Sequence, residues 1–543
     1  MKMKMIWKKF AAIVLLLSLI TSGITYRAHA AEAASFTVPE GGYDGSPVTI
    51  RFYHTMGALL TAVLDNYIYE FNKLYPNITI EYTSIGGYDD LRDQIAEEIA
   101  LGDAPNIAYC YGDHVALYNL AGAVVPLDDL IDDETVGLTD AQKGDFIARF
   151  YNEGRQFGDG LMYTLPMSKS TDVLYYNKTF FEKHNLTVPT TWEEMEQVCA
   201  AIKEIDPTSI PLGYDSESNW FINLCEQYGS PYTSASGDHY LFNNETNRGF
   251  VKMFRDWYQK GYVTTQTLYG AYTSGLFTNI EPNGIRCYMS IASSAGATYQ
   301  RPAASEDGTY PFEVGIATIP QVDPASPKVT FKGPSLCLFK KDDPQEVMAS
   351  WLFVKFLTTN TEFQSDFAMT SGYIPVLKSV EHNPVYAAYL AHADGGRYVA
   401  ALSAKVCLEQ ESAYFAPPAF NGSANAANAV VTLLWKCMSA EDGGSVDTMI
   451  ANEFSKAVGN CKQTPDTCGL TGLAAAKAYL QLLYNTASFD TAEDYTRVGA
   501  VRIDGVSYPV SWSVDTDAIQ LLPSTDGMVA VGIIGGNLEE IHY

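Results

Sequence analysis

By type and spacing, the residues that could do chemistry here are first of all acids. Asp128-Asp129 and Asp132-Asp133 form two close pairs, and a secreted glycoside hydrolase needs two carboxylates set across a cleft. Neither G-x-S-x-G nor H-E-x-x-H accompanies them, and the runs around them read as solvated loop charge. An enzyme is therefore the rival reading and not the leading one. The nine cysteines show no C-x-x-C spacing, so neither a zinc site nor any other metal or cofactor is expected. Cys461 and Cys468 flank a Pro465-Asp466 turn at a spacing that suits a local bridge. Cys110, Cys199, Cys225 and Cys337 sit in apolar segments and read as small buried hydrophobes. With 63 acids against 35 bases and a formal net charge of −28, nucleic acid is excluded as a partner, because phosphate binding wants the opposite sign.

The elements that must position any site centre on Leu161 to Cys199. A polar patch, Met167-Ser168-Lys169-Ser170-Thr171, leads into the strand-like run Asp172 to Tyr176, rich in β-branched and aromatic residues. Asn177 ends it. Thr191 and Glu194 form a capping box for a helix in which Met195, Val198, Cys199, Ile202 and Ile205 recur at helical spacing.

Upstream, the sequence predicts a strand over 46–53, an amphipathic helix over 58–75, a strand over 78–82, a helix from Tyr88 stopped by Gly102, and a buried strand over 105–110. Such a β-α-β-α-β order implies a parallel sheet with helices on both faces. Downstream, helices are expected at 219–229, 246–260, 362–369, 424–438 and 472–485. Another is opened by Asp343-Pro344 with Glu346. Strands are expected at 287–291, 312–320 and, as one unit, 331–339. Val498 to Val510 reads as a hairpin about Asp504-Gly505. At 543 residues the chain is long enough for more than one core.

Residues 1–30 read as a signal peptide. Lys2, Lys4, Lys8 and Lys9 precede the apolar run Phe10 to Ile20, and Ala28-His29-Ala30 offers a cleavage site, with Ala31-Glu32-Ala33 a second. No cysteine precedes Cys110. The expectation is an exported protein, periplasmic or extracellular, without a lipid anchor.

Tyr175-Tyr176-Asn177-Lys178 followed by Pro189-Thr190-Thr191-Trp192-Glu193-Glu194 resembles the extracellular solute-binding proteins of ABC importers, in the carbohydrate-binding branch that includes maltose and glycerol-3-phosphate binders. Phe71 to Pro76, Asp103-Ala104-Pro105-Asn106 and Gly372-Tyr373-Ile374-Pro375 extend the resemblance. It implies an α/β, two-lobed periplasmic-binding-protein-like fold of type II, to which the β-like runs of this chain's tail add a β-rich C-terminal extension. Lobe one would be 36–167 plus 322–375, lobe two 168–321 plus 376–490, and the extension 491–543. Segments near Pro166, near Pro320 and at Gly372-Tyr373 would act as the hinge. The implied function is capture of a small-molecule carbohydrate in the interlobe cleft and its delivery to ABC transporter permease subunits, by a monomer that is not an enzyme.

The resemblance also implies the ligand residues. Those are Tyr88 and Asp113 from lobe one, Ser170 at the hinge, Trp220 as the stacking ring, Ser294, Gly333 and Tyr373. Sugar hydroxyls take amides, hydroxyls and carboxylates, and the C–H faces take rings. Where the maltose binders place a tryptophan, this chain has Ala295. A binder of sn-glycerol-3-phosphate or a glycerophosphodiester is the alternative, yet Pro417 to Trp435 holds no Lys or Arg for the phosphate. Asn421, Ser423 and Asn425 in that segment suit hydroxyl recognition.

Overall fold

The computed structural model describes residues 36–392, 394–441, 444–484, 495–513, 519–523 and 528–533. The expected signal peptide and its cleavage sites lie outside the described residues.

Local signals built most elements where they were expected. Thr191 Oγ1 accepts from the Glu194 amide at 3.1 Å and the Glu194 carboxylate accepts from the Thr191 amide at 3.2 Å, so the helix Trp192–Ile205 starts on its capping box. Gly102 closes the helix Tyr88–Leu101 at φ +82°, a conformation that favours glycine. Asp343 caps the helix Pro344–Thr359 by accepting from the Gln345 amide.

Two sheets form two lobes. In the first, β1 (Val48–His54), β2 (Ile78–Ser84) and β3 (Ile107–Cys110) are parallel, with β1 between the others. β4 (Leu165–Pro166) is followed in sequence by β5 (Ser170–Asn177), the central strand of the second sheet. That sheet adds β6 (Leu212–Tyr214), β7 (Val263–Thr265), β8 (Met289–Ser293), β9 (Val314–Thr318) and β10 (Val329–Lys332). β11 (Ser335–Leu338) returns to the first sheet, antiparallel to β3 and β4. β12 (Tyr414–Phe415) sits beyond β10 at the edge of the second.

The stretch 331–339, expected as one strand, is therefore two strands in different lobes. Gly333 at φ +120° and Pro334, which has no amide hydrogen, interrupt the ladder between them. This moves the second crossing from Pro320 to Gly333-Pro334, and 322–332 belongs with lobe two. Lys169 ties the crossings together. Its buried ammonium pairs with the Glu153 carboxylate and donates to Gly333 O at 2.9 Å and Ser335 Oγ at 2.9 Å, while its amide donates to Ile374 O at 3.1 Å.

The helix Gly472–Tyr484 also departs from expectation. It packs on lobe one, where Tyr479 donates to Ala96 O at 2.8 Å; its face of buried alanines, Ala475, Ala476 and Ala478, permits that close approach. The hairpin of β13 (Ala500–Ile503) and β14 (Val506–Pro509) covers the same region. Asp504 and Gly505 both have positive φ, as a two-residue hairpin turn requires, and Val501 and Ile503 are buried. Cys110, Cys199, Cys225 and Cys337 are buried as expected, while Cys461 is unbonded to the exposed Cys468.

Candidate functional site

A cavity of about 700 Å³ opens between the lobes, over the strands that cross from one to the other. Its floor comes from the start of β5 and the end of β10, whose register sets Lys332 beside Ser170 and Phe331 beside Thr171. Ser170, Thr171, Asp172 and Lys332 all border it. Lys332 is exposed into the cleft, yet protein surrounds it; that desolvation lowers its pKa, and Asp172 and Asp113 counter the effect.

Asp172 is 1% exposed. Burial pushes its carboxyl up to about 6, and donors from Asn219, Tyr214 and Asn223 hold it down against that. Asn219 Nδ2 lies 3.0 Å from Asp172 Oδ1, and the Tyr214 hydroxyl 3.3 Å from Oδ2. Further along the same wall stand Asp215, Ser216 and Asn219, then Tyr272, then Ser293 from the end of β8, and Gly296 and Tyr299 from the turn after it. Tyr272 and Tyr299 are 65% and 74% exposed.

Lobe one contributes Tyr111, and the hinge contributes Tyr373. The Tyr88 ring lies 4.6 Å from that of Tyr111, centroid to centroid. Burial makes the Tyr88 phenol less acidic.

Of the residues singled out in the sequence, Ser170 and Tyr373 border the cavity, and Tyr88 packs on the Tyr111 ring that also borders it. Four others stand elsewhere. Trp220 is fully buried, stacked at 4.1 Å on Phe254 and edge-on to Phe250; it is core, because the helix Glu217–Gln227 turns that face away from the cleft. Ser294 is buried, and its hydroxyl accepts the Thr171 amide at 3.2 Å, which joins β5 to the turn after β8. Gly333 is a crossing point where an added Cβ would sit 2.5 Å from Ser168 O. Asp113 is half-buried in the first turn of the helix Gly112–Leu120 and is not among the residues that border the cavity. Asn421, Ser423 and Asn425 spend their side chains on Ala116 and Thr467, on Phe420, and on Thr464 respectively.

Sequence reasoning missed Tyr111, Asp172, Asp215, Tyr272, Tyr299 and Lys332. Two of these carried a usable signal. Asp172 and Lys332 are the lone charges in the strands β5 and β10, and a charge in a strand otherwise suited to burial marks a place where a site opens.

Residues 66–394 match the model of the bacterial extracellular solute-binding protein family. The chain is 25% identical over 346 residues to the sn-glycerol-3-phosphate-binding periplasmic protein UgpB of Shigella flexneri serotype 5b, covering 61% of this chain and 75% of that protein. It is 24% identical to UgpB of Escherichia coli K12 over the same shares. Among solved structures it resembles the cyclic α-maltosyl-1,6-maltose binding protein of Arthrobacter globiformis, with a TM-score of 0.61 and 18% identity over 77% of this chain and 100% of that one. UgpB of Mycobacterium tuberculosis in complex with glycerophosphocholine gives 0.59 and 19% identity, over 76% and 98%.

Proposed function

The chain belongs to the bacterial extracellular solute-binding protein family, and on that premise we propose that it captures a carbohydrate between its lobes and delivers it to the permease of an ABC importer. The observation that carries this reading is the chemistry of the cleft. Exposed tyrosine rings suit C–H faces, and buried carboxylates and amides suit hydroxyls. Charge separates the carbohydrate from a phosphate ester. Among the described residues bordering the cavity, Lys332 is the one cation, set against Asp172 and Asp215. A phosphate dianion placed there would meet a net negative wall in a protein of charge −28. The likeness to UgpB and the presence of Lys332 favour the second reading, a glycerophosphodiester, whose single negative charge one lysine matches.

The protein works as an exported monomer, and it binds its solute without turning it over. Binding closes the lobes about 167–169, 333–334 and Gly372-Tyr373, since ligand touches both walls only in the closed state.

A thermal-shift screen of glucose, galactose, maltose, cellobiose, sn-glycerol-3-phosphate and glycerophosphocholine tests this. A sugar at a hundred times its Kd should add about 2.7 kcal/mol of stability. Stabilisation by the two phosphate compounds alone would overturn the carbohydrate reading. Incubation with a glycan panel should release no product, and turnover of any glycan would revive the hydrolase.

A further inference from the structure

Asp215 and Ser216 join β6 to the helix Glu217–Gln227, whose first residue is Glu217, at the edge of the cleft. Both acids are nearly buried, at 7% and 5% exposure. Each is spent on the same neighbouring loop. Asp215 Oδ1 accepts the Thr273 amide at 2.7 Å, and Glu217 Oε1 accepts the Thr267 amide at 2.8 Å. Two carboxylates thus grip the two ends of 267–273, which carries Tyr272 to the cavity.

Ser216 between them has φ +117° and ψ +77°. The other non-glycine residues with positive φ among those described have local reasons, Asn185 closing a helix and Asp504 turning a hairpin. Serine gains no such relief, and strain of this kind persists where the surroundings impose it. Here the imposed geometry lets both flanking acids face the loop while Ser216 borders the cleft. One turn further on, Asn219 is 7% exposed and also borders the cleft. Its Nδ2 is taken by Asp172, and its Oδ1 has no partner among the described residues. A buried acceptor left unpaired at a cavity wall costs free energy until a ligand donor meets it.

We propose that Asp215 and Glu217 clasp the 267–273 loop to position Tyr272 as the stacking ring for one pyranose, with Ser216 Oγ and Asn219 Oδ1 taking hydroxyls along that sugar's edge. This assignment rests on the carbohydrate reading above and gives lobe two the ring that Trp220 does not provide. Asp215 and Glu217 are positioning residues; Tyr272, Ser216 and Asn219 touch the sugar.

The test titrates the unaltered protein and four variants with whichever of glucose, galactose, maltose or cellobiose shifts its melting temperature most. Tyr272→Ala should weaken binding about tenfold without lowering the melting temperature, because the ring is exposed. Ser216→Gly should also weaken binding, yet leave the melting temperature unchanged or higher, since glycine accepts this backbone conformation. Asp215→Ala should weaken binding and speed hydrogen exchange at the Thr273 amide, and Asp215→Asn, which keeps an acceptor oxygen, should recover most of both. Wild-type affinity in Tyr272→Ala and Ser216→Gly would overturn the clasp while leaving the carbohydrate reading standing. Failure of every sugar to bind the unaltered protein would overturn both.

Discussion

The two walls of the cleft are built on different physical plans. Lobe one and the hinge present Tyr88, Tyr111 and Tyr373, half-buried rings, with those of Tyr88 and Tyr111 packed 4.6 Å apart. Lobe two presents Tyr272 and Tyr299, mostly exposed, backed by the buried acids Asp172 and Asp215. The first wall is rigid by mutual contact, and the second is a set of separate groups each held from behind. A ligand meeting the first wall finds a ready surface with little ordering left to do. At the second wall it supplies contacts that the rings and the unpaired Asn219 oxygen lack. The walls should therefore respond differently to substitution.

The largest effect should come from behind the second wall. Trp220→Ala removes a fully buried indole and should cost about 3–5 kcal/mol of stability. Denaturant unfolding should show that loss, while sugar affinity of the folded fraction stays near that of the unaltered protein. A selective loss of affinity instead would return Trp220 to the ligand.

Next is the joint between the walls. Gly333→Ala places a Cβ 2.5 Å from Ser168 O and 2.8 Å from Lys169 Cα, backbone that cannot swing aside. Overpacking of this kind costs about 1–3 kcal/mol. Small-angle scattering should show a changed difference in radius of gyration between free and sugar-saturated protein. An unchanged difference would mean that the Gly333 crossing does not govern closure.

Asp172→Asn tests the charge of the second wall. Its folded-state pKa of about 6 lies above the unfolded carboxyl value. The folded protein therefore binds more protons than the unfolded chain between roughly pH 4 and 6, and this group costs stability as pH rises through that window. Asp172→Asn should melt higher than the unaltered protein above pH 7, and the gain should vanish toward pH 4. A gain independent of pH would mean that Asp172 does not titrate as its burial implies.

The smallest effect concerns the first wall. Tyr373→Phe removes one half-buried hydroxyl at the border of the cavity, worth about 0.5–1.5 kcal/mol. Calorimetry should register this as a modest loss of affinity with little change in melting temperature. A tenfold or larger loss would show that the Tyr373 hydroxyl meets the ligand directly.

Much of the fold was legible because its signals are local. The Thr191–Glu194 capping box, the Gly102 stop, the Asp343-Pro344 start and the Asp504-Gly505 turn each act within four residues, where side-chain and backbone chemistry decide the outcome. The YYNK strand and the β-α-β-α-β opening were legible for the same reason, as was the family whose pattern they carry. Ser170 and Tyr373 could be marked because they lie on those patterns.

Tertiary structure alone decided the rest. Nothing near Trp220 in sequence says that Phe250 and Phe254 will cover its ring. The break at Gly333-Pro334 reads as a kink in one strand until β10 is seen to pair with β5 and β11 with β3. Lys332 enters the cleft only because that pairing sets it beside Ser170, 162 positions earlier in the chain. Tyr272 becomes a candidate ring because two carboxylates some fifty residues upstream hold its loop. Burial and cleft lining are properties of contacts between distant segments, and a period or a cap cannot encode which distant segment arrives.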